Sequence, residues 1–549
     1  MSKIASYLQE HLQGEVVTTA AVRQHFSRDG SILTQTPSLI VYPYGVNDIR
    51  KVTRFAWQLA QKGHALPITP RGSGSSNTGA AIGTGITLST PAHFNKILEL
   101  DTKQQLARLQ PGVNFNVFQE AMKTHGLYMP IMPATSLYST VGGAIANNSM
   151  TRKSVKYSDM RKWVNQLEVV LANGEVIQTG RISKRELSKK KGLATLEGEI
   201  YRKIDGLITD NQQLIEDEIV ARASYTNAGY SGLAEVKQKN GSFDLTPLFV
   251  GAQGTLGIIT EMIVKLTSYI PQSQLLTISF ESLADAHDAL DSLQQLAPSS
   301  VEFLERQTLD LVQGQGLNIS AVLEEGAKTP AALLFVEFDD PGRKQARKAK
   351  KAAKAFQKAG HYVQLSSDLD EQADWWQVFF SVQAAVINGE IDGRVPLPMT
   401  EDASVPREAF EKYIEGVYDL AKKQRITTAM WGHAGDNIFQ VYPFLDLRRL
   451  SDRQKVKKFT ESYYEMVLKF GGSVAAKYGE GRLRSPLAAS EYSQEMVQVF
   501  EEIKHIIDPQ NVFNTNVKVG TQLANAPGLL EIVAEEYDHA RSSDYLPRV

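Results

Sequence analysis

The residues best suited to chemistry in this chain lie in two places. The first is Pro70-Arg71-Gly72-Ser73-Gly74-Ser75-Ser76-Asn77-Thr78-Gly79, which joins the apolar runs Ala65-Leu66-Pro67-Ile68 and Gly85-Ile86-Thr87-Leu88. A glycine-rich loop between two strands makes a backbone nest in which successive N–H groups converge on an anion. Arg71 at its mouth adds a bidentate cation suited to phosphate. The loop lacks the Gly-Lys-Ser/Thr ending of a P-loop, and no helical pattern follows it as in a dinucleotide fingerprint. Taken alone, it reads equally well as a plain surface turn. The second place is far along the chain. Trp431-Gly432-His433-Ala434-Gly435-Asp436 offers an imidazole with the right intrinsic pKa for a general base, a structural histidine being the alternative. Arg394, Lys477 and Arg482 are cations able to bind an anion. Tyr478 is a weak candidate base unless an adjacent cation, Lys477, lowers its pKa.

The elements around these residues follow from periodicity and turn chemistry. Residues 4–12 read as an amphipathic helix, 39–43 as a strand and 46–62 as a helix closed by Gly63, so a β-α-β approach delivers the chain to the glycine loop. Residues 115–124 are helical, and Pro130-Ile131-Met132-Pro133 is a stiff extended wall. The hydroxyls of Thr135, Ser139 and Thr140 come next, and Gly142 and Gly143 permit close backbone approach; a capped helix start is the alternative reading. Residues 181–191 read as a solvated loop or helix end. Beyond residue 266 the pattern strand, helix, strand occurs twice, at 275–304 and 331–365, which suggests a ferredoxin-like cap with an antiparallel sheet. The basic run at 343–351 reads as a solvated helix face.

The glycine loop resembles the pyrophosphate-binding loop of the PCMH-type FAD domain, found in vanillyl-alcohol oxidase and its relatives. Three further segments resemble that family in order: Pro133-Ala134-Thr135 through Asn147-Asn148, Leu167 through Val176, and Gly251-Ala252-Gln253-Gly254-Thr255-Leu256-Gly257-Ile258-Ile259-Thr260. With the His-Ala-Gly-Asp segment, the nearest branch is the FAD-linked D-lactate, glycolate and 2-hydroxyglutarate dehydrogenases. The resemblance covers about residues 36–520. It implies an α+β protein: an N-terminal helical segment at 1–35, a two-lobed PCMH-type FAD-binding domain at 36–269, and a cap or substrate domain at 270–475. A C-terminal helical segment at 476–520 then returns to the FAD domain, and a tail follows at 521–549. The positions implied to hold FAD are Arg71, Gly72, Ser73, Gly74, Ser75, Ser76, Asn77, Pro133, Thr135, Ser139, Thr140, Gly142, Gly143, Asn147, Gln253, Gly254, Gly257, Ile259 and Asn514. Ser75 stands where some covalent relatives carry histidine, and no cysteine exists, so attachment is expected to be non-covalent. Asn227-Ala228-Gly229-Tyr230 resembles a substrate-side loop of some members, a simple turn being the alternative.

Composition sets the outer bounds. At 549 residues the chain suggests about three domains, and 42% hydrophobic with 22% charged residues is ordinary for a globular protein. A net charge of -2 argues against a dedicated nucleic-acid binder, and the absence of cysteine excludes disulfides, thiolate metal sites and iron–sulfur clusters. No run reaches membrane-spanning length and the N-terminus has no apolar signal region, so a cytoplasmic protein is expected, with peripheral contact at the inner face of the membrane left open.

The resemblance breaks at the substrate shell. Metal-dependent members of the branch carry a second histidine seven residues after the first, then a carboxylate and a catalytic histidine. Here those positions are Gln440, Lys477 and Tyr478, so no such metal site is expected, because one histidine cannot hold a divalent ion without partners. The arginine usual after Trp in the carboxylate-binding segment is also absent, since Trp376-Gln377-Val378 is followed by Phe379-Phe380. What remains implies an FAD-dependent oxidation of a 2-hydroxy acid of the D-lactate or glycolate class, with hydride transfer to flavin N5. His433, Lys477 and Tyr478 would be the catalytic candidates, and Arg394, Gln440 and Arg482 the substrate-binding ones. Electrons would leave to a quinone, a cytochrome or an electron-transferring flavoprotein. The alternative is a flavoprotein whose hydroxy-acid chemistry is altered or lost, acting on another alcohol or polyol or serving as a binding or electron-transfer subunit.

Overall fold

The computed structural model describes residues 3–520 and 532–537. Its first lobe is a four-stranded sheet in the order Glu15–Val17, Leu39–Tyr42, Ile86–Ser89, Ile68–Arg71. The last three strands pair in parallel, which explains their continuous apolar runs. The helix Val46–Gln61 crosses between them and buries Ile49, Val52, Thr53 and Ala56, one face at helical spacing. Asp48 in its first turn accepts N–H groups from Gln13, Gly14 and Tyr44 and so anchors the N-terminal segment. The second lobe is a five-stranded antiparallel sheet ordered Ile97–Asp101, Leu106–Leu109, Ile258–Lys265, Val164–Val170, Val176–Gln178. In Ile258–Lys265 fully buried and partly exposed positions alternate, as a half-buried strand requires.

Between the lobes the short helix Val141–Ala146 starts on a Thr140 cap, whose hydroxyl accepts from Gly143 N. The capped helix start read from the sequence is therefore present. Residues Lys184–Lys191 form a helix rather than a loop, because Ser183 and Glu186 make a reciprocal capping box that satisfies its first N–H groups.

The cap strands are β1 (Gln274–Phe280), β2 (Ser300–Glu305), β3 (Ala332–Phe338), β4 (Tyr362–Ser366), β5 (Val395–Pro396), β6 (Thr400–Ser404), β7 (Thr428–His433) and β8 (Ile438–Leu445). The order β4-β1-β3-β2 is ferredoxin-like, as expected. The hairpin β7-β8 then extends the sheet from β2, with β5 and β6 both paired to β8. That extension carries His433 to a position directly opposite Glu302 on β2. Phe335, Trp431 and Tyr442 pack on one sheet face against the helix α1 (Leu369–Ile387), which contributes Trp375 and Trp376. The helix Arg343–Lys358 buries Ala349, Ala352, Ala353 and Phe356 and turns most of its cations to solvent.

The closing segment returns to the first lobe, where Ile68 N donates to Val512 O and Asn514 N donates to Ile68 O. Of the tail, residues 532–537 pack on the 30–34 segment, with Leu33 bridged to Val533; the rest lies outside the described residues. Among the described residues no helix is long and apolar enough to cross a membrane.

Candidate active site

A cleft runs between the two lobes, lined by residues of both and by Tyr478 of the returning chain. Every position expected to hold the cofactor lines it except Asn514. Asn514 lies behind the wall: its Nδ2 donates to the carbonyls of Ala80 and Gln253, and its Oδ1 accepts from Arg482. Ser75 and Ser139 share a hydrogen bond of 3.1 Å, and Ser139 and Thr135 one of 2.6 Å, so hydroxyls tie the glycine loop to the second segment. Gly72 is obligatory, because a Cβ there would stand 2.4 Å from Thr140 Oγ1. At Gly142 the crowding comes from Pro111, so that glycine serves chain packing as well as the cleft. Gln253 accepts from Gly481 N and donates to Asn147, joining the third segment to the second and to the returning chain.

Arg71 does not stand at the loop mouth. Its guanidinium lies beneath Gly74, over the Phe26 ring at 5.0 Å, with Nη1 donating to Arg28 O at 2.8 Å and Ala81 O at 3.2 Å. Burial lowers its pKa to about 10, against the pull of Asp29. Nη2 is buried without a partner at the cleft wall. A nest of backbone N–H groups with an orphaned cationic nitrogen beneath it fits the pyrophosphate of FAD. Arg71→Ala is expected to weaken FAD binding by about 1.5–3 kcal/mol, the range of a charge-assisted hydrogen bond. A titration of apoprotein with FAD that gives equal affinities would leave Arg71 as a loop brace only.

The cap presents the chemistry. His433 is buried, and its Nδ1 lies 2.8 Å from both carboxylate oxygens of Glu302. A carboxylate only accepts, so Nδ1 carries the proton and Nε2 is left with its lone pair. Nε2 has no partner. Burial lowers the His433 pKa; Glu302 opposes this, while the charges of Lys477 and Arg152 reinforce it. Lys477 is buried, its ammonium 5.5 Å from the Tyr478 ring centroid, and its pKa is lowered by burial against the pull of Glu302, Asp402 and Glu401. Its Nζ has no hydrogen-bond or ion-pair partner among the described residues.

Asp402 positions this loop. It accepts the backbone N–H groups of Lys477 and Tyr478 and is held by Arg484 at 3.1 Å. Its φ of 78° sits at a β-bulge between Glu401 and Ala403, a strained geometry that aims the carboxylate out of the strand. Glu401 accepts from Asn77 Nδ2 at 3.0 Å and from the Tyr442 hydroxyl, linking the glycine loop to the cap sheet.

Several expected residues take other places. Tyr478 lines the cleft, but burial and the nearby Glu401 and Asp402 carboxylates push its pKa up, so it is not a base activated by Lys477. Gln440 accepts from Trp431 Nε1 at 2.5 Å, cross-strand from it on β8. Arg394 pairs with Asp452 at 2.8 Å beside β5, which meets β8 at Phe444 and Leu445, far along that strand from Gln440. Arg482 is spent on Gly79 O, Asn514 Oδ1 and Thr515 O. Arg482 is therefore not free for a substrate, and Arg394 stands away from His433, which lies opposite Ile438 at the other end of β8. The loop at 227–230 sits behind the second segment, with Asn227 Nδ2 donating to Asn147 O and Gly229 packed on Phe500. The residues sequence reasoning missed are Glu302, Glu401, Asp402, Arg484 and Arg152. The signal for Glu302 was an acid inside the apolar run Val301-Glu302-Phe303-Leu304. Among the described residues, no three His, Cys, Asp or Glu side chains are grouped to hold a metal ion.

Residues 37–180 match the family described as FAD binding domain, and residues 271–517 match FAD linked oxidases, C-terminal domain. The glycolate oxidase subunit GlcD of Bacillus subtilis is 28% identical over 484 residues, covering 87% of this chain and 88% of that protein. A D-2-hydroxyglutarate dehydrogenase of Pseudomonas putida is 26% identical over 528 residues, covering 95% of this chain. The chain spans about half of that relative, 52% of its length. Among solved structures, p-cresol methylhydroxylase with substrate bound superposes with a TM-score of 0.66 at 16% identity, covering 95% of this chain and 97% of that one, a likeness of fold alone.

Proposed function

We propose that this chain, which belongs to the FAD-linked oxidases, oxidises a 2-hydroxy acid to the 2-oxo acid and passes the electrons to an external acceptor. The observation that carries the reading is the Glu302–His433 pair, its Nε2 unpartnered, with the unpaired ammonium of Lys477, the residue next in the chain to Tyr478, which lines the FAD cleft. When bound, FAD supplies the acceptor for the hydride that leaves the substrate Cα. His433 Nε2 takes the hydroxyl proton, and Glu302 holds the imidazole in the tautomer that can do so. Lys477 stabilises the negative charge that develops on the substrate oxygen as that proton leaves. Its burial makes the interaction stronger than it is in water. The low pKa of His433 keeps the imidazole neutral, and therefore basic, at neutral pH. With no cysteine this chain holds no thiolate-bound iron–sulfur relay of its own, and the electrons leave to an external quinone, cytochrome or electron-transferring flavoprotein.

The purified protein is expected to be yellow and to release FAD on acid precipitation. Anaerobic mixing with a panel of 2-hydroxy acids should bleach the flavin, and polyols should not. Bleaching by polyols alone would overturn the substrate class. A colourless protein that FAD cannot reconstitute would overturn the whole assignment.

A further inference from the structure

We infer that Arg152 seats the substrate carboxylate, the cation that neither Arg394 nor Arg482 can provide. The inference rests on the hydroxy-acid reading above and names how the acid end of that substrate is held. Arg152 lies on the segment that leaves the second cofactor stretch. Its guanidinium carbon stands 4.1 Å from the Trp376 ring centroid. Trp376 is itself buried on α1 and stacked on Phe335 at 5.6 Å, so the platform under the guanidinium is rigid. Stacking fixes the plane of a guanidinium and leaves its edge N–H groups free to donate.

Those donors are not used up within the protein. Nη1 is buried and has no hydrogen-bond partner. The acid nearest Nη2 is Glu337 at 3.9 Å, beyond hydrogen-bond distance, and Glu337 is already paired with Lys153 at 3.2 Å. The other cations of the region have closer acid partners: Lys153 and Lys156 with Asp339, Arg161 with Glu235, Arg484 with Asp402. Arg152 and Lys477 remain, and the charge of each bears on His433.

The open groups form a set: a lone pair on His433 Nε2, an ammonium on Lys477, and a planar N–H edge on Arg152. A 2-hydroxy carboxylate presents the complement of that set, one hydroxyl donor beside a planar anion with two oxygens. Arginine is suited to the anion because its fork matches a carboxylate in two parallel hydrogen bonds. A polyol has nothing to offer it. The Arg152 side chain keeps 31% of its surface exposed, while Nη1 itself is covered.

The test is anaerobic flavin reduction by a hydroxy acid in the FAD-loaded parent, Arg152→Met and Arg152→Lys, with oxalate titrated against the oxidised flavin spectrum as a binding readout that needs no turnover. For Arg152→Met, the half-saturating concentrations of both acid and oxalate are expected to rise about 10- to 150-fold, the range for a lost charge-assisted pair, and the limiting rate to fall far less. Arg152→Lys should recover part of the affinity. The amide of the same hydroxy acid should no longer distinguish parent from Arg152→Met, which a merely structural role would not produce. Parent-like half-saturation for acid and oxalate in Arg152→Met would overturn the inference while the hydroxy-acid reading stands. A parent bleached by polyols and not by hydroxy acids would overturn both.

Discussion

Replacing His433 with glutamine is expected to slow substrate-driven flavin reduction by about 10²–10⁴-fold, the usual contribution of a positioned general base. The amide can still donate to Glu302, so the cap sheet and the bound FAD should be retained; what it cannot do is accept a proton. The pH dependence gives a second readout. Protonated His433 has no lone pair on Nε2, so the parent's reduction rate should fall as pH drops through the His433 pKa. That pKa lies below the ordinary 6.5, because burial, with Lys477 and Arg152 adding to it, outweighs Glu302. The limb should therefore appear on the acid side of 6.5 in the parent and be missing in the variant. Stopped-flow reduction across pH checks both. A His433→Gln protein reduced at the parent rate would remove the histidine from the mechanism.

Lys477→Met is expected to cost about 10²–10³-fold in the same step, the loss seen when one preorganised charge-stabilising group is removed. The loop should keep its shape, because Asp402 holds the backbone N–H groups of residues 477 and 478, not their side chains. The variant should also move the acid limb of His433 to higher pH, since a cation that opposes imidazole protonation is gone. A divalent ion beside one carboxylate carries a local charge of about +1, and an ammonium without the ion carries the same, which is the basis for reading Lys477 as the stand-in for a metal. Full activity with an unmoved limb would sink that reading. So would tightly bound zinc or manganese at one ion per chain in the parent.

The cofactor half of this protein was legible in its sequence because it is built from backbone. Glycines such as Gly72 and Gly74 are specified by space that a Cβ would fill, and they stay in order along short stretches of chain. The alternation of strands and helices beyond residue 266 likewise encodes the ferredoxin-like order through local periodicity. The substrate half was only partly legible. His433 and Lys477 stood out by type, but what makes each reactive is not local: Glu302 reaches His433 from a strand 131 residues earlier, through sheet register. The helix Leu450–Lys469 likewise holds Arg394, through Asp452, away from the base. Arg71 was named as an anion binder from its place in the glycine loop and Arg482 from its charge. Burial then tied the first beneath its loop and spent the second on backbone carbonyls and Asn514. Arg152, by contrast, sat unremarked in a polar stretch until packing laid it on Trp376 without a hydrogen-bond partner for Nη1. By itself, then, the sequence determined where a nucleotide cofactor can lie, since backbone conformation is written in local residue choice. Which charges remain free to do chemistry was decided by the tertiary structure, because whether a cation is spent depends on the partner that packing brings to it from elsewhere in the chain.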